Sequence, residues 1–312
     1  MAEMIQREEC PAGKAGKAPS ERTVEELLHN GFIVLDKWAG PTSREVSTKI
    51  KALLGLKLAG HAGTLDPPAT GVLPICLDNA TKVMPALQGQ DKEYVGVFHL
   101  HTDISEKKLK EAMKKFVGEI RQKPPLRAAV VRRMRTRKVY DYELLDRKER
   151  EICIRARVEA GTYIRMLAHD LGVALKTGCH MRELRRVQAG PFNENQAHTI
   201  QELKQAYQIW KTDGKEEPIR RIVLPVEEAV QHLKKVIVKD SAIPSITNGS
   251  PVYTSAICSA QSLIRKDGSV AIFSLKGELV AMGTAKMITA EMASMSKKGL
   301  AVKTDRVIMK NK

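Results

Sequence analysis

The spacing of apolar positions along the chain predicts a protein in which helices and strands are mixed. Alternating or short continuous apolar runs predict strands at Gly31–Trp38, Val72–Leu77, Tyr94–Leu100, Ile152–Val158 and Met181–Val187. Apolar residues three and four positions apart predict helices that begin near Thr23, Thr42, Ser105, Thr162, Thr199 and Pro225. The order of these elements predicts an α+β fold.

Two helix boundaries have further support in the sequence. Thr42 followed by Glu45 forms a capping box, so this helix is expected to run to about Leu54. The helix that begins at Ser105 keeps helical spacing through Ile120 and is expected to end where Pro124 and its neighbours break it. The basic segment that follows is expected to form a strand.

The pattern changes after about Leu233, where short strands and turn residues replace the helices. Turn residues cluster at 247–251, 266–269 and 276–278, which is typical of a compact β-rich module. Residues 1–20 are rich in Ala, Gly, Lys and Glu and are expected to be mobile. We therefore predict a mobile N-terminal extension over residues 1–29, a larger mixed domain over 30–232 and a small β domain over 233–308.

The net charge of the chain suggests a binding partner. The 312 residues carry a formal net charge of +16, which favours a polyanion partner over a merely solubilising surface when the cations are clustered. One acid-free segment contains eight of them, namely Arg121, Lys123, Arg127, Arg132, Arg133, Arg135, Arg137 and Lys138. This clustering predicts that the protein binds nucleic acid.

Several classes of protein are disfavoured by what the sequence lacks. No apolar run reaches the length of about 20 residues that a membrane span needs, and the N-terminus lacks the apolar stretch of a signal peptide. The five cysteines are scattered and form no CxxC pair, so neither a disulfide scaffold nor a zinc site is expected. The histidines lack metal-motif spacing, and no phosphate-binding GxxxxGK[ST] loop is present. We therefore expect a reduced, intracellular, cytoplasmic protein without a metal or cofactor.

The segment Gly60–Gly71 is the first candidate for chemistry. Its three glycines permit unusual backbone angles or a close approach of a ligand. Pro67 stiffens the chain and holds Asp66 in an extended conformation, so this carboxylate is positioned rather than freely solvated. An Asx-type turn, in which Asp66 is only a structural acceptor, is the alternative.

A second candidate is Arg165 in the segment Gly161–Arg165. If Thr162 caps the following helix, Arg165 lies in its first turn, where a cation opposes the helix dipole and calls for an anionic partner. That partner is a carboxylate or a phosphate, unless the arginine is an ordinary surface residue. Tyr94 is either a core aromatic residue or a ring that stacks on a base, and Leu184 is by default a core residue.

Four segments together resemble the TruB family of RNA pseudouridine synthases in order and spacing over about residues 30–230. They are Gly60–Gly71, Lys92–Gly96, Gly161–Arg165 with Leu167–Gly172, and His180–Phe192. The C-terminal module resembles a PUA domain, a small RNA-binding β barrel. Within the family, the chain is most similar to the guide-RNA-dependent archaeal and eukaryotic branch, the dyskerin homologues, and an archaeal source is expected. The resemblance implies a catalytic domain with a mixed, largely antiparallel sheet.

The resemblance also assigns roles to individual residues. It implies that Asp66 is the catalytic aspartate, Arg165 its partner, Tyr94 the active-site tyrosine and Leu184 an apolar pocket residue. It implies RNA contacts, to which the basic segment adds, for Lys37, His61, Arg132, Arg133, Arg135, Arg137, Lys138, Arg185 and Arg186. Three residues depart from the family pattern, namely Trp38, Arg44 and Pro68, which affects RNA contacts rather than the chemistry.

The function implied by this resemblance is isomerisation of uridine to pseudouridine in rRNA, with the tRNA T-loop as a second candidate substrate. The partners implied are an H/ACA guide RNA and three small companion proteins of the H/ACA particle, with no membrane. A stand-alone tRNA pseudouridine synthase and a non-catalytic RNA-binding assembly protein remain alternatives. A glycoside hydrolase that uses Asp66 and Asp78 is a more distant one, disfavoured by the basic charge and the 4% aromatic content.

Overall fold

The computed structural model describes residues 3–11, 13–124, 131 and 133–309. Within these residues the chain forms two sheets. The larger contains strands from Gly31 to Pro225, and the smaller contains strands from the C-terminal part together with one strand from the N-terminal segment. The predicted α+β class with a C-terminal β module is confirmed.

The larger sheet has the strand order β11-β2-β4-β9-β5-β8-β7-β6. Its strands are β2 (Gly31–Lys37), β3 (Ala59–His61), β4 (Thr70–Leu77), β5 (Lys92–Leu100), β6 (Gly118–Gln122), β7 (Arg135–Lys148), β8 (Glu151–Val158), β9 (Cys179–Ala189), β10 (Phe192–Asn193) and β11 (Val223–Pro225). All of its neighbouring strands pair antiparallel except β4 and β9, which run parallel over Thr70 and Gly71. This parallel contact lies at the centre of the sheet.

Helices cover the larger sheet and bury its core. They are α1 (Val24–Asn30), α2 (Ser43–Leu53), α3 (Met84–Gln88), α4 (Glu106–Lys114), α5 (Ile164–Ala174), α6 (Ile200–Asp213) and α7 (Glu217–Ile222). Capping boxes open α1 at Thr23, α2 at Thr42 and α6 at Thr199, because each threonine accepts a bond from the backbone three residues on. None of the helices in the described ranges is long and apolar enough to span a membrane.

The smaller sheet curls around the core of the C-terminal module, in the order β1-β14-β12-β15-β16-β17-β13. Its strands are β1 (Met4–Gln6), β12 (Lys234–Val238), β13 (Val252–Tyr253), β14 (Ile257–Gln261), β15 (Ser269–Phe273), β16 (Leu279–Ala285) and β17 (Leu300–Val307), with helices α8 (Ile243–Thr247) and α9 (Thr289–Ala293) beside it. One apolar cluster joins the two sheets, since Phe32 and Val72 of the larger pack with Phe273 and Leu279 of the smaller.

The prediction of a mobile N-terminal extension is wrong for its described residues. Strand β1 pairs antiparallel with β14 at the edge of the smaller sheet, and Arg7 donates to the carbonyl of Met292 over 2.8 Å. The backbone N–H groups of Lys14 and Ala15 donate to the carboxylate of Asp240. Composition suggested mobility because the segment has few apolar residues, but backbone hydrogen bonds and charges hold it instead.

The prediction that all cysteines are reduced is also wrong, because Cys10 and Cys258 form a disulfide. Their Cα atoms are 6.0 Å apart, within the range that a disulfide bridges without backbone movement. The two residues are separated by 248 positions, and their proximity arises only because the N-terminal segment folds back onto β14. Cys76, Cys153 and Cys179 are free.

Three local predictions also differ from the structure. The helix that begins after Ser105 ends at Lys114, and β6 follows it, because Gly118 has φ +108° and turns the chain. The segment predicted as a helix from Pro225 forms only a 3-10 turn over Val226–Val230. A short helix over Glu217–Ile222 was not predicted, since one helical turn and a half carries little periodicity.

Reduction of the disulfide should destabilise the C-terminal module and release the N-terminal segment. A disulfide that closes so long a loop typically contributes about 2–4 kcal/mol. We expect a phosphine reductant to lower the denaturant midpoint of the module and to speed hydrogen exchange at Met4–Gln6. Cys258→Ser is the matched control, because its midpoint should not respond to the reductant. An identical midpoint for the wild-type chain with and without reductant would contradict the expectation.

Candidate active site

The loop between His61 and Thr70, here called the Asp66 loop, is fixed by hydrogen bonds at several points. Ser43, at the start of α2, accepts from the backbone N–H of Leu65 over 2.8 Å and donates to its carbonyl over 3.1 Å. The N–H of Ala69 donates to the carbonyl of Asp66 over 3.0 Å. The Asp66 carboxylate thus projects from a turn whose backbone is held by hydrogen bonds. The bond within this turn is accepted by the backbone carbonyl of Asp66 and not by its side chain, as an Asx-type turn would require.

Gly71, the second residue of β4, lies just after this loop and is under a tight steric constraint. Its φ is +100°, and a Cβ atom at this position would collide with the backbone carbonyl of Arg186 on β9. In the sheet, Gly71 lies opposite Lys37 of β2 on one side and Arg186 on the other. Only glycine combines this backbone angle with so close an approach between strands.

Lys37 supports the loop rather than contacting RNA, which corrects the predicted role. Its side chain is 0% exposed, and its Nζ donates to the carbonyls of Pro67 over 3.0 Å and Ala69 over 2.8 Å, and to that of Asp66 over 3.3 Å. Burial lowers the pKa of Lys37, whereas the nearby Asp66 charge opposes this shift. A buried ammonium that binds loop carbonyls cannot reach a phosphate of bound RNA.

Arg165 and Asp66 form an ion pair through Nη2 and Oδ2. Arg165 lies in the first turn of α5, as predicted, although the helix is preceded by Tyr163 and not capped by Thr162. The backbone of Tyr163 is held by Gln122 of β6, which accepts from its N–H over 3.0 Å. Both side chains of the pair are about half exposed, 46% for Arg165 and 45% for Asp66, so the pair is open to a ligand.

Tyr94 and Leu184 lie on the neighbouring strands β5 and β9. Tyr94 is opposite Arg186, and Leu184 is opposite Gly96. Tyr94 is 8% exposed and belongs to the same apolar cluster as Leu65 of the Asp66 loop, and Leu184 packs against this cluster. Four sequence-predicted residues, Asp66, Tyr94, Arg165 and Leu184, therefore border one region of the sheet.

Arg186 is likewise not an RNA contact, which corrects a second prediction. Its side chain is 1% exposed. Nε donates to the carbonyl of Val72 over 2.7 Å and Nη2 to that of Gly63 over 3.0 Å. Arg185, its neighbour, is partly exposed but forms ion pairs with Asp36 and Glu194. Sequence alone could not separate these roles, because adjacent arginines on a strand look alike until the opposite faces are assigned.

His61 lies at the entrance to the Asp66 loop. Its ring nitrogens are 3.3 Å from the hydroxyl of Ser47 and 3.4 Å from that of Thr64. Burial and, to a smaller degree, the charge of Arg186 lower the pKa of His61. A neutral imidazole at this place can approach a base without adding charge.

The described C-terminal end of the basic segment, Arg135–Lys138, begins β7 and lies beside the Gly161–Arg165 turn. The guanidinium of Arg137 is 3.2 Å from the position that a Cβ on Gly161 would occupy, and Lys138 is exposed. Arg133 is exposed and Arg135 partly exposed, whereas Arg132 lies outside the described residues. The described cations Arg133, Arg135, Arg137 and Lys138, here called the basic edge, thus lie at or just before the start of β7, where Arg137 is beside the turn that leads to Arg165.

Comparison with known proteins identifies the family. The family model described as "TruB family pseudouridylate synthase (N terminal domain)" matches residues 51–105, and "tRNA pseudouridylate synthase B C-terminal domain" matches residues 165–231. A protein of Methanocaldococcus jannaschii named "Probable tRNA pseudouridine synthase B" is 47% identical over 98% of this chain and 91% of its own length. The chain belongs to the TruB family of pseudouridine synthases. The predicted family and enzyme class are thus confirmed.

Further matches extend over both ends of this TruB-family synthase. The PUA domain model matches residues 234–308, and the DKCLD (NUC011) domain model matches residues 2–47. A chain of "Crystal Structure of a Cbf5-Nop10-Gar1 Complex" is 46% identical, with a TM-score of 0.92 and coverage of 99% of this chain and 95% of that one. A chain of "Structure of H/ACA RNP bound to a substrate RNA containing 2'-deoxyuridine" is 44% identical, with a TM-score of 0.90 and coverage of 99% and 95%.

Substitution of Gly71 should separate the steric constraint from the backbone angle. Gly71→Ala adds a Cβ that collides with the Arg186 carbonyl, whereas Gly118 has a similar φ of +108° and open space around its Cβ position. We expect Gly118→Ala to lower the free energy of unfolding of the synthase by about 1–2 kcal/mol through backbone strain alone. Gly71→Ala should cost a further 1–3 kcal/mol or so from overpacking, as measured by denaturant unfolding. Equal losses would show that strands β4 and β9 tolerate the added atom.

Proposed function

We propose that this synthase isomerises uridine to pseudouridine in rRNA as the catalytic subunit of an H/ACA-type particle. The observation that carries the proposal is the exposed ion pair between Asp66 and Arg165. Strand β4, which follows the Asp66 loop, pairs with β9, and β9 and its neighbour β5 carry Leu184 and Tyr94. A carboxylate, a cation that orients it, an aromatic ring and an apolar side chain suit a reaction at the glycosidic bond of an extruded base.

The reaction breaks the N1–C1′ bond of uridine, turns the base and forms a C5–C1′ bond. The proton on C5 passes to solvent, and N1 gains one, so neither oxidant nor reductant is needed. The target base must leave the RNA stack first, which costs a few kcal/mol. Asp66 acts on the ribose, either by attacking C1′ or by removing a proton from the sugar. A carboxylate is capable of either reaction.

The other three residues support the Asp66 carboxylate and the base. Arg165 orients Asp66 through their ion pair. Tyr94 stacks on the uracil ring and assists removal of the C5 proton. Leu184 excludes water from the pocket, which matters because water would trap a detached sugar.

RNA binding is assigned to the basic edge and to the C-terminal module. Arg133, Arg135, Arg137 and Lys138, with Arg132 and His61, contact the RNA backbone and the target base. We assign residues 30–232 to the catalytic domain and residues 233–308 to the RNA-binding PUA module. The module has a core of its own and shares a second apolar cluster with the catalytic domain. Strand β1 and residues 14–17 of the N-terminal segment contact the module, whereas helix α1 packs in the core of the larger sheet.

The proposed partners follow from the similar structures. One contains Cbf5 with Nop10 and Gar1, and another is an H/ACA particle with bound substrate RNA. We propose the same type of assembly here, with a guide RNA that selects the target uridine and three small companion proteins, in the cytoplasm of an archaeal cell. Guide pairing rather than the protein surface would then determine which uridines react.

A stand-alone tRNA synthase is the second candidate function. The observation in its favour is that similar proteins are named for tRNA pseudouridine synthase B. In this case the basic edge and the C-terminal module would themselves select the T-loop.

Tritium release from C5-tritiated uridine distinguishes the two functions. We expect release from a guide-matched rRNA target only when the chain is combined with guide RNA and companion proteins, because the guide supplies the target's position. The bare chain with a tRNA transcript is the parallel reaction. Strong, site-specific release in that reaction would support the stand-alone function, and no release in either reaction would contradict the proposal.

Asp66→Asn should abolish release in the assembled reaction while RNA affinity changes less than about twofold, since the RNA surface lies mostly elsewhere. Asp103→Asn is the matched control, because Asp103 is exposed and distant in sequence from the loop. Multiple turnover by Asp66→Asn would remove Asp66 from its central role. A binding assay at fixed salt concentration makes the two affinities comparable.

A further inference from the structure

The guanidinium of Arg186 binds backbone carbonyls near both ends of the Asp66 loop. The Gly63 carbonyl is near the start of the loop and the Val72 carbonyl just follows its end, and one guanidinium donates to both. A planar guanidinium has donors at fixed angles, so it sets the separation of these two carbonyls. The geometry of the loop that presents Asp66 therefore depends on the shape of this side chain.

Two further buried cations lie around the same loop. Lys37 binds carbonyls within the loop, and Lys92 is 6% exposed, with its Nζ 2.6 Å from the carbonyl of Gln88 and 2.5 Å from that of Gln90. A Cβ on Gly63 would lie 3.6 Å from Nη1 of Arg186 and 3.7 Å from Cε of Lys92. Arg186 thus contacts the first part of the loop, and the side chain of Lys92 lies next to Gly63.

None of these three cations takes part in an ion pair within 4.0 Å among the described residues. Their buried partners are backbone carbonyls. A buried charge without a counter-ion is costly, and neutral donors could hold carbonyls without that cost. Burial, followed by the charge of Arg186, lowers the pKa of Lys92 to about 8. Groups whose pKa values are shifted by burial and by neighbouring charges are common at functional sites.

The anion most relevant to these three cations, here called the cation cluster, is the carboxylate of Asp66. Its charge interacts favourably with Lys37, and Arg186 interacts unfavourably with both lysines. The cation cluster therefore creates a positive electrostatic potential on the buried side of the Asp66 loop, and the exposed side of this loop carries the Asp66 carboxylate.

We propose that Arg186 is a positioning residue for the reaction: it fixes the Asp66 loop so that the carboxylate meets the target ribose. The inference rests on the proposed role of Asp66. It differs from a purely structural role because it requires the bidentate shape of the guanidinium during the chemical step and not only a buried cation in the folded chain.

Arg186→Lys tests the proposal, because lysine keeps the charge but cannot donate to the Gly63 and Val72 carbonyls in the same geometry. The measurement is the single-turnover rate constant of tritium release in the assembled particle at saturating protein, together with the RNA dissociation constant. We expect the rate constant to fall 10- to 100-fold, since a displacement of about 1 Å can cost 10²-fold. The dissociation constant should change less than about twofold.

Arg182→Lys is the matched control. Arg182 is on the same strand, is 58% exposed and pairs with Glu151, away from the loop, so its variant should keep the wild-type rate constant. A full rate constant for Arg186→Lys would overturn the proposal. Failure of Arg186→Lys to fold, judged by circular dichroism and thermal unfolding, would also overturn it, because the arginine would then be needed for folding itself.

A parallel reaction with Asp66→Asn separates this inference from the proposed function. If Asp66→Asn releases tritium at the wild-type rate, the role of Asp66 fails and the inference fails with it. If Asp66→Asn is inactive and Arg186→Lys is fully active, the role of Asp66 stands and only the positioning role of Arg186 is lost.

Discussion

The close approach of β4 and β9 at Gly71 is the constraint on which the site depends. Across four adjacent strands, Lys37, Gly71, Arg186 and Tyr94 lie in one row. Because glycine allows the strands to meet, the cations on either side reach the loop that precedes Gly71, and Tyr94 comes within the same core as that loop. A single backbone position thus couples the placement of the carboxylate to that of the aromatic ring.

This row explains how an exposed pair can be rigid. Asp66 and Arg165 are each about half exposed, and exposed ion pairs alone contribute little to order, typically 0–1 kcal/mol or so. The order comes from buried side chains. Lys37 donates to carbonyls of the Asp66 loop, and Gln122 accepts from the backbone of the turn before α5. Catalytic groups that must meet a substrate can stay open to solvent because their supports are buried.

Local chemistry in the sequence was enough to predict much of the fold and the residues of the site. A capping box marked the start of α2, and apolar runs marked β4 and β5, because these features act within a few residues. The roles of Lys37 and Arg186 could not be read in the same way, since burial of a cation depends on which strand lies beside it. The Cys10–Cys258 bridge was missed for the same reason, as it joins residues 248 positions apart.

The two sheets are also joined to each other, by apolar packing, a hydrogen bond and buried ion pairs. Phe32 and Phe273 share one core, and Lys82 donates to the carbonyl of Val307 over 2.8 Å. Arg22, which is 4% exposed, pairs with Glu227 and with Glu278, so the chain that leaves the N-terminal segment is tied to both parts. These contacts fix the smaller sheet relative to the larger one, so under the proposed function RNA held by the module would lie at a constant distance from Asp66.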